Sequence, residues 1–168
     1  RSILVAVRAE DNLDALTGLA ELLARTRPAR EVILARLTAP EAMGAAAALL
    51  NRRREELASR GAAARTVAFT SNEPGDDLVR LASEQRTDLL LADGELDETL
   101  EVDVVTVLDR APCDVALLVS KEGAGSAPAS DHPVLVPFGG ADHDWAVGGQ
   151  QCQPPRDRRM LVRYTSVR

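Results

Sequence analysis

The chain has 168 residues, a formal net charge of −6 and two cysteines. That length suffices for one well-buried core, whereas so little cysteine excludes a disulfide-stapled scaffold and a four-cysteine zinc site. The acidic balance argues against a nucleic-acid partner, because neutralising phosphates requires clustered basic side chains. No apolar run reaches the roughly 18 residues that a membrane-spanning helix needs.

Short apolar runs alternate with helical patterns along the first 120 residues. The predicted strands are residues 3–7, 31–35 (ending near Thr38), 64–69, 88–92 and 115–119, and the predicted helices begin near Asp11 or Asn12, at Pro40, at Pro74 and at Val102. Uniformly apolar strands are typical of parallel sheets covered on both faces. Asp11 or Asn12 can cap the first helix, and Gly61 is suited to end the second in a left-handed conformation.

This alternation predicts an α/β domain over residues 1–121, with an open, doubly wound, five-stranded parallel sheet. Residues 122–132 form a small-residue linker. Residues 133–147 repeat the opening pattern, with Val134 corresponding to Ile3 and Val136 to Val5, which predicts an incomplete second copy. Residues 148–168 show no helical stripe, and we expect a disordered or non-native tail.

The order of these elements, together with Ala111-Pro112-Cys113 leading into the last strand, resembles the universal stress protein family over roughly residues 2–120. The resemblance implies a Rossmann-like fold and a homodimer formed through the last strand. Residues 134–140 and 142–145 are similar to the start of the second stress-protein-like half in the cytosolic region of bacterial monovalent cation/proton antiporters. That likeness implies a cytoplasmic piece of an inner-membrane transporter.

Nucleotide-binding members of this family hold ATP at the carboxyl ends of the strands, through an Asp after the first strand and a glycine-rich loop after the fourth. Here Arg8 stands where that Asp would be, and of the loop's glycines Gly94 remains. The resemblance therefore places Arg8, Thr38, Asp93 and Gly94 at the crevice as candidate cofactor-binding positions. Arg8 could recognise an anion there, or it could form a surface ion pair with Glu10 or with the acidic loop.

The segment after the fourth strand carries six acids within eleven residues: Asp93, Glu95, Asp97, Glu98, Glu101 and Asp103. Each repulsion between unit charges about 6 Å apart costs roughly 0.7 kcal/mol in water and about 2.8 kcal/mol at an effective dielectric constant near 20. ATP binding in the family manner is therefore disfavoured, and we expect no cofactor. The alternatives for this loop are a divalent-cation site and a solvated run of charge.

No set of residues typical of catalysis is present. Cys113 precedes a buried strand and fits a small apolar filler, while His132 and His143 lack metal-ligand spacing. We therefore expect a non-catalytic regulatory or sensor domain. The alternative is a stand-alone stress protein that binds an adenine nucleotide through the first-strand turn and Thr38; a nucleotide hydrolase that depends on Asp93 is a third hypothesis.

The predicted last strand, residues 115–119, would leave an apolar edge exposed unless another strand pairs with it. A second copy of the chain could cover this edge, which is the dimer that the resemblance implies. Residues 134–138 could instead cover it within one chain.

Overall fold

A computed structural model describes residues 1–8, 10–94, 102–120 and 159–164 of the chain. The strands are β1 (Ser2–Val7), β2 (Glu31–Leu37), β3 (Ala64–Phe69), β4 (Leu89–Asp93), β5 (Asp114–Ser120) and β6 (Arg159–Tyr164). The helices are α1 (Leu13–Ala24), α2 (Met43–Ser59), α3 (Pro74–Glu84) and α4 (Val102–Arg110), and short 3-10 turns at Glu10–Asn12 and Pro40–Ala42 precede α1 and α2.

The strands form one sheet in the order β3-β2-β1-β4-β5-β6, and every pair of neighbours is parallel. The apolar run of β1 lies at the centre, where all six of its residues are buried. Because side chains alternate along a strand, Ile3, Val5 and Val7 pack under α1 and α2, whereas Leu4 and Ala6 pack under α3 and α4. Both faces are therefore covered, which explains why the strand sequences lack an apolar–polar alternation.

The predicted α/β fold is confirmed, with all five predicted strands parallel in one doubly wound sheet. The structure adds a sixth strand that the sequence pattern did not predict. This strand, β6, pairs with the outer edge of β5, with Val115 opposite Arg159 and Ser120 opposite Tyr164. It lies inside the segment for which we expected a tail without regular structure. The linker and the incomplete second copy, residues 122–147, lie outside the described residues.

Two helix ends differ in detail from expectation. Asn12 occupies the N-cap position of α1, but its side chain makes no capping hydrogen bond within the described part of the chain. Instead, its amide donates to a carboxylate on β4. Gly61 follows α2 with a φ of +85°, as its role as a left-handed helix end requires.

Gly75 allows α3 and α4 to approach closely. A Cβ at this position would lie 2.9 Å from both the carbonyl oxygen of Asp103 and the Cβ of Thr106. The Gly75 N–H also donates to Oδ1 of Asp103 over 3.3 Å. The start of α3 is therefore fixed against the first turns of α4, which follows the segment after β4.

Within the described residues, no helix combines the length and the apolar character required to cross a bilayer.

Candidate functional site

The crevice of this sheet lies between β1 and β4. The chain leaves β1 toward α1 on one face, and it leaves β4 toward α4 on the other. Adjacent strands whose connections diverge in this way open a crevice at their carboxyl ends, where open α/β sheets bind ligands. Ala6 pairs with Ala92, so the residues that follow, Arg8 and Asp93, lie at the mouth of this crevice.

Asp93 connects the two sides of the crevice. Its Oδ1 accepts a hydrogen bond from the backbone N–H of Arg8 over 2.9 Å, and its Oδ2 accepts one from the side-chain amide of Asn12 over 3.1 Å. The residue is only 2% exposed. A carboxylate removed from water needs such donors, because burying it without them is strongly unfavourable. Asp93 therefore holds the turn after β1 against the end of β4.

The two other predicted crevice positions lie at the same edge of the sheet. The backbone N–H of Gly94 donates to the carbonyl of Leu118 on β5 over 3.1 Å. Thr38 follows β2, and its backbone N–H donates to the carbonyl of Phe69 on β3 over 3.0 Å. The structure thus brings Arg8 and Asp93 into direct contact and places Gly94 and Thr38 on either side of them. Their role in binding a ligand stays a prediction.

Two members of the six-acid segment are described, and both accept hydrogen bonds from the backbone. Asp93 accepts one from Arg8, and Asp103 accepts one from Gly75. These two carboxylates accept hydrogen bonds within the fold, whereas the sequence indicated either a solvated run of charge or a divalent-cation site. Glu95, Asp97, Glu98 and Glu101 lie outside the described residues. Among the described residues no cluster of His, Cys, Asp and Glu is suited to hold a metal ion.

Glu10 pairs with Arg36 of β2, whose guanidinium nitrogens lie 3.4 Å from the Glu10 carboxylate. The sequence offers Arg8 as a surface partner of Glu10 or of the acidic loop, and the pairing of its guanidinium stays a prediction. Its backbone N–H donates to Asp93.

Cys113 lies at the opposite, amino end of the sheet, before β5. Desolvation, followed by the negative charges of Asp114 and Asp88, raises the pKa of its thiol to about 11. The thiol is therefore protonated at neutral pH. A protonated thiol is a poor nucleophile, so this environment suits the packing role that the sequence indicated.

A second concave surface, about 270 Å³ in volume, lies between α1 and α2. Arg53 on its wall contacts Asp14 and Glu56, and Arg60 donates to Glu21 over 3.0 Å. These ion pairs neutralise the guanidinium groups of the cleft. We therefore assign the cleft to contact between helices, and we place the candidate site at the crevice, where parallel α/β sheets bind ligands.

Asn12 is the crevice residue that sequence reasoning missed. Its position just before a helix indicated a cap, and its contact with Asp93 spans 81 residues of sequence. The available signal was its place between the first strand and the first helix, in the connection that borders the crevice.

No protein-family model and no curated protein matches the chain. Several solved structures match it in fold. A universal stress protein from Archaeoglobus fulgidus matches with a TM-score of 0.59 and 17% identity, over 70% of this chain and 93% of the other.

Two further universal stress proteins match with a TM-score of 0.57 each. One, from Archaeoglobus fulgidus in complex with dAMP, is 21% identical over 69% of this chain and 95% of its own. The other, in complex with cAMP, is 23% identical over 71% of this chain and 98% of its own. At these identities the likeness extends to the fold, and the chain has the Rossmann-like α/β fold of universal stress proteins.

Proposed function

We propose that this chain is a non-catalytic regulatory or sensor domain whose crevice does not accept the phosphates of a nucleotide. The observation that supports this proposal is the buried Asp93 carboxylate, which accepts hydrogen bonds from the Arg8 N–H and the Asn12 amide. Phosphates bind in such crevices through backbone N–H groups at strand ends and helix starts. Here the N–H groups of Arg8 and Gly94 already donate within the protein.

A phosphate that entered the crevice would also meet the charge of Asp93. Two unit negative charges about 6 Å apart repel by roughly 2.8 kcal/mol at an effective dielectric constant near 20. Hydrogen bonds to a charged phosphate are worth about 1.5 to 3 kcal/mol each, so this repulsion offsets about one or two of them. The N–H groups of the crevice would have to give up their present acceptors, and Asp93 would repel the ligand. A phosphate therefore gains no net binding free energy here.

We further propose that the domain belongs to the cytosolic region of a cation/proton antiporter and acts in the cytoplasm. The support is the sequence of residues 134–140 and 142–145, which is similar to the corresponding segment of such transporters. In that setting the domain passes on a change of state through an interface with its neighbours. Sequencing the gene upstream of Arg1 tests this part, because the proposal requires a series of membrane-spanning segments there.

The second candidate function is adenine nucleotide binding by a stand-alone stress protein. It is favoured by the complexes of proteins with the same fold with dAMP and with cAMP. A monophosphate places less negative charge near Asp93 than a triphosphate does. Such a ligand would rest on the first-strand turn and on Thr38.

Titration calorimetry distinguishes the two functions. We expect no binding of ATP with magnesium at concentrations up to about 1 mM, whereas the second candidate requires a dissociation constant in the micromolar range. Titrations with adenosine, which has no phosphate, and with AMP, which has one, show whether the crevice rejects the phosphates or the base. Micromolar binding of ATP would overturn the proposal.

A phosphate-release assay with ATP and magnesium tests the absence of catalysis. We expect no release above a protein-free blank. Release that disappears in an Asp93→Asn variant would establish the hydrolase hypothesis.

A further inference from the structure

Two hydrogen-bond donors that follow β1, the Arg8 N–H and the Asn12 amide, donate to a negatively charged side chain of the same chain, Asp93. The Arg8 N–H lies 2.9 Å from Oδ1 of Asp93, and the Asn12 amide nitrogen lies 3.1 Å from Oδ2, so each carboxylate oxygen accepts one of them. With an exposure of 2%, the Asp93 residue is held away from water. This carboxylate is arranged as a bound anion would be, rather than as a charge that faces a ligand.

The surroundings of the carboxylate suit a negative charge. Asn12 ends the 3-10 turn and occupies the N-cap position of α1, a helix of 12 residues. The first turn of a helix carries partial positive charge and presents unpaired N–H groups. Backbone N–H groups and helix starts are the groups with which proteins bind carboxylates and phosphates. The buried carboxylate shows that an anion occupies this position.

An external anion has to compete with Asp93 for these donors. Asp93 is fixed at the end of β4, which pairs with β1 along four residues of each strand. A group held in place by the fold acts at an effective concentration far above the millimolar range. A free anion at millimolar concentration is therefore unable to displace it.

We propose that Asp93 is an internal ligand of the crevice: it fills an anion-binding position formed by the Arg8 N–H and the Asn12 amide, and so determines that small oxyanions and phosphate groups are rejected. This inference rests on the proposed function, because it names the residue responsible for the rejection. It implies a latent anion site that becomes available when the carboxylate is removed.

The test is chemical rescue of an Asp93→Ala variant by formate and by inorganic phosphate. Removing the side chain leaves both donors without their carboxylate and leaves space for a small anion. A ligand that binds the folded state alone raises the melting temperature, by about 3 to 8 °C for a domain of this size at ten times the dissociation constant. We expect a rise of this size in the variant and none in the wild type, each measured against sodium chloride at equal ionic strength.

Two variants serve as matched controls. Glu84→Ala removes one negative charge from the end of α3, where the Glu84 side chain is 61% exposed, so it controls for net charge. Asp93→Asn keeps the size of the side chain and one acceptor oxygen, so the position stays filled. We expect neither control to respond to formate more than the wild type does. An equal response in Asp93→Ala and Glu84→Ala would overturn the inference.

A loss of folding in Asp93→Ala does not remove the test. In that case the readout is the recovery of the circular dichroism spectrum when formate or phosphate replaces chloride, and a lack of recovery overturns the inference. The proposed function fails separately, through ATP binding by the wild type. A wild type that rejects ATP, combined with an Asp93→Ala variant that does not respond to anions, would overturn the internal ligand alone.

Discussion

The chemical environments of Asp93 and Cys113 differ because these residues lie at opposite ends of the sheet. Asp93 at the carboxyl end is a buried carboxylate that accepts hydrogen bonds from Arg8 and Asn12. Cys113 at the amino end is a half-buried thiol close to the carboxylates of Asp88 and Asp114. The first environment satisfies a negative charge, whereas the second opposes the formation of one.

The environment of Cys113 predicts slow reaction with thiol reagents. Because the pKa is raised from 9.0 to about 11, the thiolate fraction at pH 8 falls about a hundredfold relative to an unperturbed thiol. We expect a correspondingly slower reaction with iodoacetamide in a Cys152→Ser background, which removes the second cysteine. The same protein unfolded in urea is the control. Equal rates in the folded and the unfolded protein would contradict the burial of this thiol.

The same shift gives a dependence of stability on pH. Between pH 9 and about 11 the folded state retains a proton that the unfolded state has lost. The free energy of unfolding therefore falls as the pH rises through this window, and this thiol contributes no change below it. Urea unfolding at pH 8 and pH 10.5, compared with a Cys113→Ala variant, isolates the contribution of this group.

At the scale of elements, the contact between α3 and α4 depends on Gly75, because a larger residue there would not fit between the helices. A Gly75→Ala substitution would place its Cβ 2.9 Å from a backbone oxygen of α4, so the helices would have to separate. We expect a loss of about 1 to 3 kcal/mol in the free energy of unfolding, as is typical of overpacking. Urea unfolding curves measure the loss.

Gly44 in α2 provides the matched control for Gly75. An added Cβ there meets none of the described atoms within 4 Å. Gly44→Ala should therefore stabilise the protein by up to about 1 kcal/mol, because alanine restricts the unfolded chain and favours a helix. Similar effects of the two substitutions would show that the close approach at Gly75 is unimportant.

At the scale of the whole molecule, the edge strand decides how copies of the chain can associate. The resemblance to stress proteins implied a homodimer through the last strand of the five-stranded sheet, and this stays a prediction. In the structure β6 lies along that same edge of β5. A dimer that uses the edge of β5 therefore requires β6 to move away.

A proline in β6 tests this competition. Leu161→Pro fixes φ at about −65° in the middle of β6, away from the value of about −120° typical of a parallel strand, and so weakens the pairing with β5. We expect the dimer fraction of the variant to exceed that of the wild type at equal concentration, measured by light scattering across a dilution series. Two monomers, or two equal dimer fractions, would argue against association through the edge of β5.

Much of this architecture was predictable from local pattern. Uniform apolar runs marked the strands, and Gly61 and Pro74 marked helix ends correctly because they release or restrict the backbone locally. Pro40 begins a 3-10 turn, and α2 itself begins three residues later, at Met43. The short segment Arg159–Tyr164 was not predicted as a strand, because only three apolar residues lie between Arg159 and Arg163.

The candidate site was less predictable than the fold. Strand order alone brings Arg8 and Asp93 to one edge, and the sequence did predict both as crevice residues. The hydrogen bond between them joins positions 85 residues apart, and no local pattern encodes it. Asp93 was therefore interpreted as one charge among six, although in the fold it is buried and hydrogen-bonded at the carboxyl end of β4.

The strand order has a consequence for synthesis on the ribosome. The central strand β1 is translated before β4, which pairs along one of its edges and begins only at Leu89. At about 5 to 20 residues per second, that edge of β1 waits roughly 4 to 16 seconds for its neighbour after β1 has been translated. During this interval the most apolar strand of the nascent chain has an open edge, which makes it the segment that a ribosome-bound chaperone is expected to shield.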